Sequence, residues 1–235
     1  MANNDGRSPW VYIGVGCGIL VAMVAVVAVT IVFVGFRSVS KLKAEMADPR
    51  AREAKAVRLL GVDELPQGYY AGPSFSIPLL FDMAMLVDQP PDDDGSVAES
   101  TERVFIYVKI IRGGREWSDY TEGRADPMEM LDDQGFHLES AETIGSEELM
   151  IGDMKLFYVA QRGELQTHDR HSLDGVATVM FMACPGDKRM RLGIWGGPET
   201  DPDLPVAEAD FSGTAADPEA IRGFVSQFDF CGTAG

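Results

Sequence analysis

The sequence contains 235 residues, with 20 Lys and Arg against 37 Asp and Glu, a formal net charge of −17, 46% hydrophobic residues and three cysteines. This length allows one domain of ordinary size with an appendage, or two small domains. The hydrophobic content excludes a disordered chain, and three cysteines are too few for a disulfide scaffold. The acidic balance argues against a nucleic-acid partner, because binding to phosphates requires a basic surface.

Residues 11–36 form a run of 26 residues without a charged side chain, and Trp10 precedes it. As a helix this run would be about 39 Å long, against about 30 Å of bilayer hydrocarbon. The pattern predicts a transmembrane helix at 10–36 after a short tail at 1–9, with the lipid bilayer as a partner. A cleaved signal peptide has a shorter apolar core. A lipoprotein anchor at Cys17 would leave most of the apolar run after the lipidated residue.

Basic residues follow this apolar run. The flank contains Arg37, Lys41, Lys43, Arg50 and Arg52. The positive-inside rule therefore places the larger part of the chain in the cytoplasm, as a single-pass protein of the cell (inner) membrane. The alternative is an extracytoplasmic domain, since a short tail, one span and a large domain is also a common layout for such proteins.

Small residues recur every four positions within the run, at Gly14, Gly18 and Ala22. They would form one stripe on a helix and let two helix backbones approach closely. The stripe would permit a homodimer through the transmembrane helix. The preferred interpretation is that small residues are simply frequent in membrane spans.

The charge changes sign after the first quarter of the chain. Residues 1–60 contain 8 Lys and Arg and 4 Asp and Glu, whereas residues 61–235 contain 12 and 33. Asp48 and Pro49 are typical of a helix N-cap and first helical residue, and Gly61 of a helix end. We therefore interpret residues 37–61 as a basic helical stalk and residues 62–235 as an acidic globular domain.

The acidic part predicts an α+β fold. Strands are expected at 104–111, 154–161, 175–184 and 189–195, which are rich in β-branched, aromatic and apolar residues. Pro185 and Gly186 predict a type II turn that joins the last two strands. A short internal helix is expected at 126–131. The C-terminal helix begins at Asp217 and Pro218, and its apolar face consists of Ile221, Phe224, Val225 and Phe228. This face should cover an antiparallel sheet.

The histidine cluster is the first candidate for chemistry. His168 and His171 are three residues apart, and Asp174 could act as a third metal ligand. A solvated polar turn between two strands is the preferred interpretation. Asp92, Asp93 and Asp94 could bind Ca²⁺, but their spacing is not that of an EF-hand loop, and a solvated acidic loop is the preferred interpretation.

No motif for a catalytic nucleophile or for a phosphate-binding loop is present in the sequence, and no cofactor is expected. Cys184 and Cys231 would close a loop of about 47 residues if they were bridged, which requires an oxidising compartment. Two buried thiols are the preferred interpretation, because both cysteines lie beside apolar segments. Trp195 either lines a binding groove or packs over the sheet, and packing is preferred.

A known family shares the order of these elements. Leu-Pro-Gln-Gly-Tyr at 65–69 leads into Phe-Ser-Ile-Pro at 75–78, and the chain closes on Pro-Glu-Ala-Ile-Arg-Gly-Phe-Val-Ser-Gln-Phe-Asp-Phe at 218–230. Over roughly residues 62–231 this order resembles the PsbP-like α+β fold, although Tyr69 stands where the family usually has Trp. The resemblance implies binding and scaffolding rather than catalysis and carries over no catalytic residue. The whole chain also resembles bacterial single-span proteins with an acidic domain.

The predicted function is a membrane-tethered, non-catalytic interaction module of the bacterial cell envelope. It would bind a protein partner through a face of its sheet or through its acidic loops. The alternative is a domain for a small ligand or a metal, with or without enzymatic activity, that uses the His168/His171 turn or the region of Trp195.

Overall fold

In the computed structural model, the described residues are 47–77, 80–92, 95–98, 100–110, 137–166 and 172–232, without the side chains of 137–141, 164–166 and 172–174. Several predictions lie outside this part of the chain: the transmembrane helix at 10–36, the stripe of Gly14, Gly18 and Ala22, the internal helix at 126–131, and His168 and His171.

Two helices and eight strands make up the regular structure of the described residues. The helices are α1 (Pro49–Leu60) and α2 (Pro218–Val225). The strands are β1 (Tyr70–Ala71), β2 (Phe75–Ile77), β3 (Phe81–Val87), β4 (Val104–Ile110), β5 (His137–Ile151), β6 (Met154–Gln166), β7 (Ser172–Ala183) and β8 (Met190–Gly197). They form one sheet in the order β1-β3-β4-β8-β7-β6-β5, with β2 paired to β3, and every pairing is antiparallel.

The β7–β8 hairpin forms where the sequence predicts it. The amide of Asp187 donates to the carbonyl of Cys184 across 3.2 Å, and Gly186 has a φ of 72°. A positive φ at the third residue is what a type II turn requires, so the predicted turn at Pro185 and Gly186 is confirmed. The β-branched and apolar residues of β7 then lie in the middle of the sheet, between β6 and β8.

β5 is a strand that the sequence analysis did not predict. It lies at one end of the sheet order and pairs only with β6, through a tight turn in which Gly152 has a φ of 56°. Much of its described length is exposed, and Glu142, Glu147 and Glu148 are among its exposed residues. An edge strand with one solvated face carries fewer apolar residues, so its sequence resembles that of a polar loop.

Helix α1 has the predicted ends. Asp48 Oδ1 accepts a hydrogen bond from the amide of Arg50 at 3.0 Å, and Gly61 ends the helix with a φ of 69°. A Cβ atom at Gly61 would lie 2.6 Å from the carbonyl oxygen of Asp229, whose amide donates to Leu60. Leu60 is fully buried in the core of the domain. The interpretation of residues 37–61 as a stalk was therefore wrong for α1, which packs on the domain.

Helix α2 covers one face of the sheet, as predicted. Ile221, Phe224 and Val225 are buried, and the helix ends at Val225, before the predicted limit at Phe228. Beneath it lies an aromatic cluster, defined as Phe105, Tyr107, Trp195, Phe224, Phe228 and Phe230. The opposite face of the sheet carries a second buried apolar cluster, which includes Val87, Ile106, Val179, Phe181 and Ile194.

The predicted fold class as a whole was wrong. The described residues form mostly an antiparallel sheet with two short helices, rather than a stalk that carries an α+β domain. A helix of 12 residues, the length of α1, rises by about 18 Å, short of the about 30 Å needed to span a bilayer. Among the described residues, neither helix has the length and apolar character needed to cross a membrane. The predicted single-pass location in the inner membrane is corrected on this finding.

Candidate binding groove

A cavity with a volume of about 590 Å³ lies beside the edge strand β1. We call it the Tyr70 groove. It is bounded by the first turns of α1, by the segment that leads into β1 and by the loop after β3; the lining residues are Pro49, Arg52, Glu53, Glu64, Leu65, Pro66, Gln67, Gly68, Tyr69, Tyr70, Ala71, Pro90 and Pro91. Its size is within the range of about 300–1,000 Å³ that is typical of ligand pockets.

A tight turn shapes the floor of the groove. The amide of Tyr69 donates to the carbonyl of Pro66 at 3.1 Å, and Gly68 has a φ of 81°. Glycine at this third position permits a type II turn, after which the chain enters β1. Tyr70 pairs with Val87 on β3. This register brings the chain just after Val87, which includes Pro90, beside the turn.

Tyr69 is held in place from several sides. Its hydroxyl accepts a hydrogen bond from Trp195 Nε1 at 3.0 Å, and its ring centroid is 5.4 Å from that of Phe224. The guanidinium of Arg103 lies 5.5 Å from the ring centroid, within the range of a cation–π contact. Burial raises the pKa of the Tyr69 hydroxyl. This side chain therefore forms a fixed wall between the aromatic cluster and the groove.

Tyr70, by contrast, is exposed. Its relative accessibility is 46%, and Pro90 is exposed beside it on the groove wall. Pro66 is buried under the turn, and Pro91 is half-buried. The groove thus presents a rigid surface of aromatic and pyrrolidine rings, which lose little conformational entropy when a partner covers them.

The exposed charge on the groove is negative. Glu53 on α1 and Glu64 before the turn are both exposed. Arg52 also lines the groove, but it is only 4% exposed. Two solvated carboxylates therefore face any approaching partner, on a chain with a formal net charge of −17.

A smaller cavity of about 270 Å³ lies near Trp195. The indole is 9% exposed, and its ring stacks on Phe224 with centroids 4.4 Å apart. Glu199 in the same cavity forms an ion pair with Arg162, and Arg103 lies 3.5 Å from Asp88. Trp195 therefore packs over the sheet, as preferred from the sequence, and the charged side chains of this cavity are already paired.

Two large pKa shifts belong to a structural network at the β7–β8 turn. Burial alone would raise the pKa of Asp187, but hydrogen bonds from Arg189 and Arg191 lower it far below its usual value. Arg191 is 2% exposed, and its Nε donates to the carbonyl of Phe230 at 2.9 Å. Burial raises the pKa of nearby Tyr107 to about 12. These groups join the turn to the C-terminal segment, and their shifts arise from packing and pairing.

Cys184 and Cys231 are joined by a disulfide, with Cα atoms 5.4 Å apart. The preferred interpretation of two separate thiols was therefore wrong. The bond links the end of β7 to the segment after α2, next to Phe230. It also conflicts with the predicted cytoplasmic side, because disulfides persist in oxidising compartments.

The predicted metal ligands cannot be placed together. His168 and His171 lie outside the described residues, as do Asp93 and Asp94, and the side chain of Asp174 is not described. Within the described ranges, no group of three or more His, Cys, Asp or Glu side chains could hold a metal ion. Asp92 instead closes a local turn, where its carbonyl accepts from the amide of Gly95 at 2.8 Å. The metal site at the histidine turn stays a prediction.

Sequence reasoning did not find the Tyr70 groove. Its residues come from three separate segments. From the sequence, each of them was interpreted by itself, with Pro49 as the start of a helix, Leu-Pro-Gln-Gly-Tyr as part of a family resemblance and the loop at Asp92 as solvated. The adjacent pair Tyr69 and Tyr70 at the start of β1 was the available signal, because neighbouring residues of an extended chain point to opposite faces and both cannot be buried in one core.

No protein-family model matches the sequence, and a search of curated proteins finds no match. The resemblance to the PsbP-like fold therefore stays a prediction.

Proposed function

We propose that the described domain is a non-catalytic binding module for a protein partner, and that the Tyr70 groove is its binding surface. One observation carries this proposal. A tyrosine that is 46% exposed lies in a cavity of about 590 Å³ whose lining includes four prolines, a second tyrosine and two exposed carboxylates. Tyrosine is enriched at protein interfaces because it offers a large apolar ring and a polar hydroxyl together.

The rigidity of the groove supports the same proposal. The tyrosine wall is fixed by the hydrogen bond from Trp195 to Tyr69 and by the turn at Gly68. A preformed surface pays less entropy on binding than a mobile one. The alternative, a small-ligand site around Trp195, has less support because its charged groups are already paired within the domain.

Affinity capture with surface variants tests this function. The full-length chain is immobilised and exposed to extract from the cells that express it, as wild type, as Tyr70→Ala and as Met150→Ala. Met150 is a matched control, since it is 53% exposed and lies on β5 at the other end of the sheet order. We expect a stoichiometric partner with wild type and with Met150→Ala, and loss of that partner with Tyr70→Ala.

Two results would contradict the proposal. Recovery of no stoichiometric partner with wild type would count against a binding module. Equal recovery with Tyr70→Ala and wild type would show that a partner binds elsewhere on the chain.

A further inference from the structure

We propose that the Tyr70 groove binds an extended, proline-containing peptide segment that carries positive charge. This inference rests on the proposed function and names the chemistry of the partner. It follows from three features of the groove: the flat rings that line it, their fixed arrangement and the sign of the charge at its rim.

The rings favour proline. Proline-rich segments adopt a left-handed extended helix without internal hydrogen bonds, and they dock on grooves lined by aromatic side chains. Here Tyr70 and part of Tyr69 line the groove, and Pro90 lines the same cavity. Pyrrolidine rings pack on the flat faces of tyrosine rings, and the ligand is already extended before it binds, so little entropy is lost.

The carboxylates favour a cationic peptide. Glu53 and Glu64 are exposed on the wall, whereas Arg52 on the same wall is 4% exposed. A Lys or Arg of the peptide would reach these carboxylates, while an acidic peptide would be repelled both by them and by the net charge of −17. The same charge disfavours nucleic acid as the occupant.

Fluorescence polarisation with three labelled peptides of equal length tests the chemistry directly. The first consists of Pro-Pro-Arg repeats, the second of Pro-Pro-Glu repeats, and the third of Gly-Ser-Arg repeats. We expect the full-length chain to bind the first about tenfold more tightly than either of the others, because only the first has both the rings and the charge. Higher ionic strength should weaken this binding.

Variants of the groove locate the site. Tyr70→Ala should weaken binding of the Pro-Pro-Arg peptide about tenfold or more, as truncation of an interface aromatic does, and Tyr70→Phe should retain most of it. Glu53→Gln combined with Glu64→Gln should weaken it about threefold and reduce its salt dependence. The matched controls Met150→Ala and Glu208→Gln, which alter exposed residues outside the groove, should bind like wild type.

Each contrary result overturns a defined part of this proposal. Equal affinity for the Gly-Ser-Arg peptide would overturn the preference for proline, and equal affinity for the Pro-Pro-Glu peptide would overturn the preference for charge. A concentration-dependent dimer that Tyr70→Ala abolishes would show that a second copy is the occupant and would overturn the peptide. If no peptide binds while Tyr70-dependent capture persists, the inference fails and the proposed function stands. If neither is seen, both fail.

Discussion

The aromatic cluster beneath α2 and the Tyr70 groove use similar side chains in opposite ways. In the cluster, ring centroids in contact lie 4.4–6.3 Å apart, and no ring is more than 9% exposed. In the groove, Tyr70 is 46% exposed. Tyr69 separates the two, with its hydroxyl bonded to Trp195 and its backbone in the groove turn. The difference indicates that the cluster stabilises the domain, whereas the groove leaves its rings available to a partner.

The largest expected effect on stability comes from removing the disulfide next to the aromatic cluster. The double substitution Cys184→Ala and Cys231→Ala should lower the free energy of unfolding by about 4 kcal/mol, because the bond closes a loop with a sequence separation of 47. Denaturant unfolding of the wild type with and without dithiothreitol measures this effect. The double variant is the control, since dithiothreitol should not change its midpoint. An unchanged wild-type midpoint under dithiothreitol would show that the disulfide does not contribute to the stability of the domain.

The second test breaks the ion pair beneath the C-terminal segment. Asp187→Asn leaves Arg191, which is 2% exposed, without its carboxylate partner. An uncompensated buried charge should lower the free energy of unfolding by about 3 kcal/mol. Asp210→Asn is the matched control, because that carboxylate is exposed and bonded only to nearby Ser212. If the two substitutions lowered the free energy of unfolding equally, burial of Arg191 would not explain the effect of Asp187→Asn.

The same pair makes stability depend on pH. The pKa of Asp187 is lowered in the folded state, so its contribution is present above the unfolded pKa of about 3.9 and is lost as pH falls through the folded pKa. The wild type should therefore lose stability below about pH 4 more steeply than Asp187→Asn. Thermal melts across this range give melting temperature against pH for both proteins. Parallel curves would show that Asp187 is not the source of the pH dependence.

The helix caps provide a smaller and paired test. Asp217 accepts from the amides of Glu219 and Gly213 at 3.0 and 2.7 Å, whereas Asp48 accepts from that of Arg50 at 3.0 Å. We expect Asp217→Ala to lower the free energy of unfolding by about 1.5 kcal/mol and Asp48→Ala by about 1 kcal/mol. Urea unfolding measures both, with exposed Asp63→Ala as the control. The reverse order would show that α1 depends more on its cap than the helix over the cluster does.

Helix ends and tight turns could be predicted from the sequence, whereas contacts between distant segments could not. Local signals act within a few residues, so Asp48 and Gly61 mark the ends of α1, and Gly186 marks the turn before β8. The disulfide and the groove depend on contacts between distant segments. Pro90 reaches Tyr70 only because β1 pairs with the end of β3. Neither that register nor the proximity of Cys184 to Cys231 follows from local pattern.

The same limit explains the errors about α1. Its exposed basic residues are what a stalk would show, and its buried contacts are few, at Arg52, Ala56 and Leu60. An exposed stalk helix and a helix that packs through one narrow stripe can have similar sequences. They differ mainly in whether the rest of the chain provides a surface that fits the stripe. The C-terminal segment at Asp229 provides part of that surface, more than 150 residues away, and the local sequence of α1 contains no sign of it.

The smallest expected change in stability is that of a substitution at Tyr70. This substitution distinguishes the Tyr70 groove from the aromatic cluster most clearly. Tyr70→Ala should alter the free energy of unfolding by no more than about 0.5 kcal/mol, because the ring is 46% exposed. The matched change in the cluster, Phe224→Ala, should cost about 4 kcal/mol, because that ring is 6% exposed. Urea unfolding compares the two variants, and peptide binding is then measured on Tyr70→Ala. If Tyr70→Ala unfolds as readily as Phe224→Ala, the groove belongs to the core, and its lost binding would no longer indicate a contact with the partner.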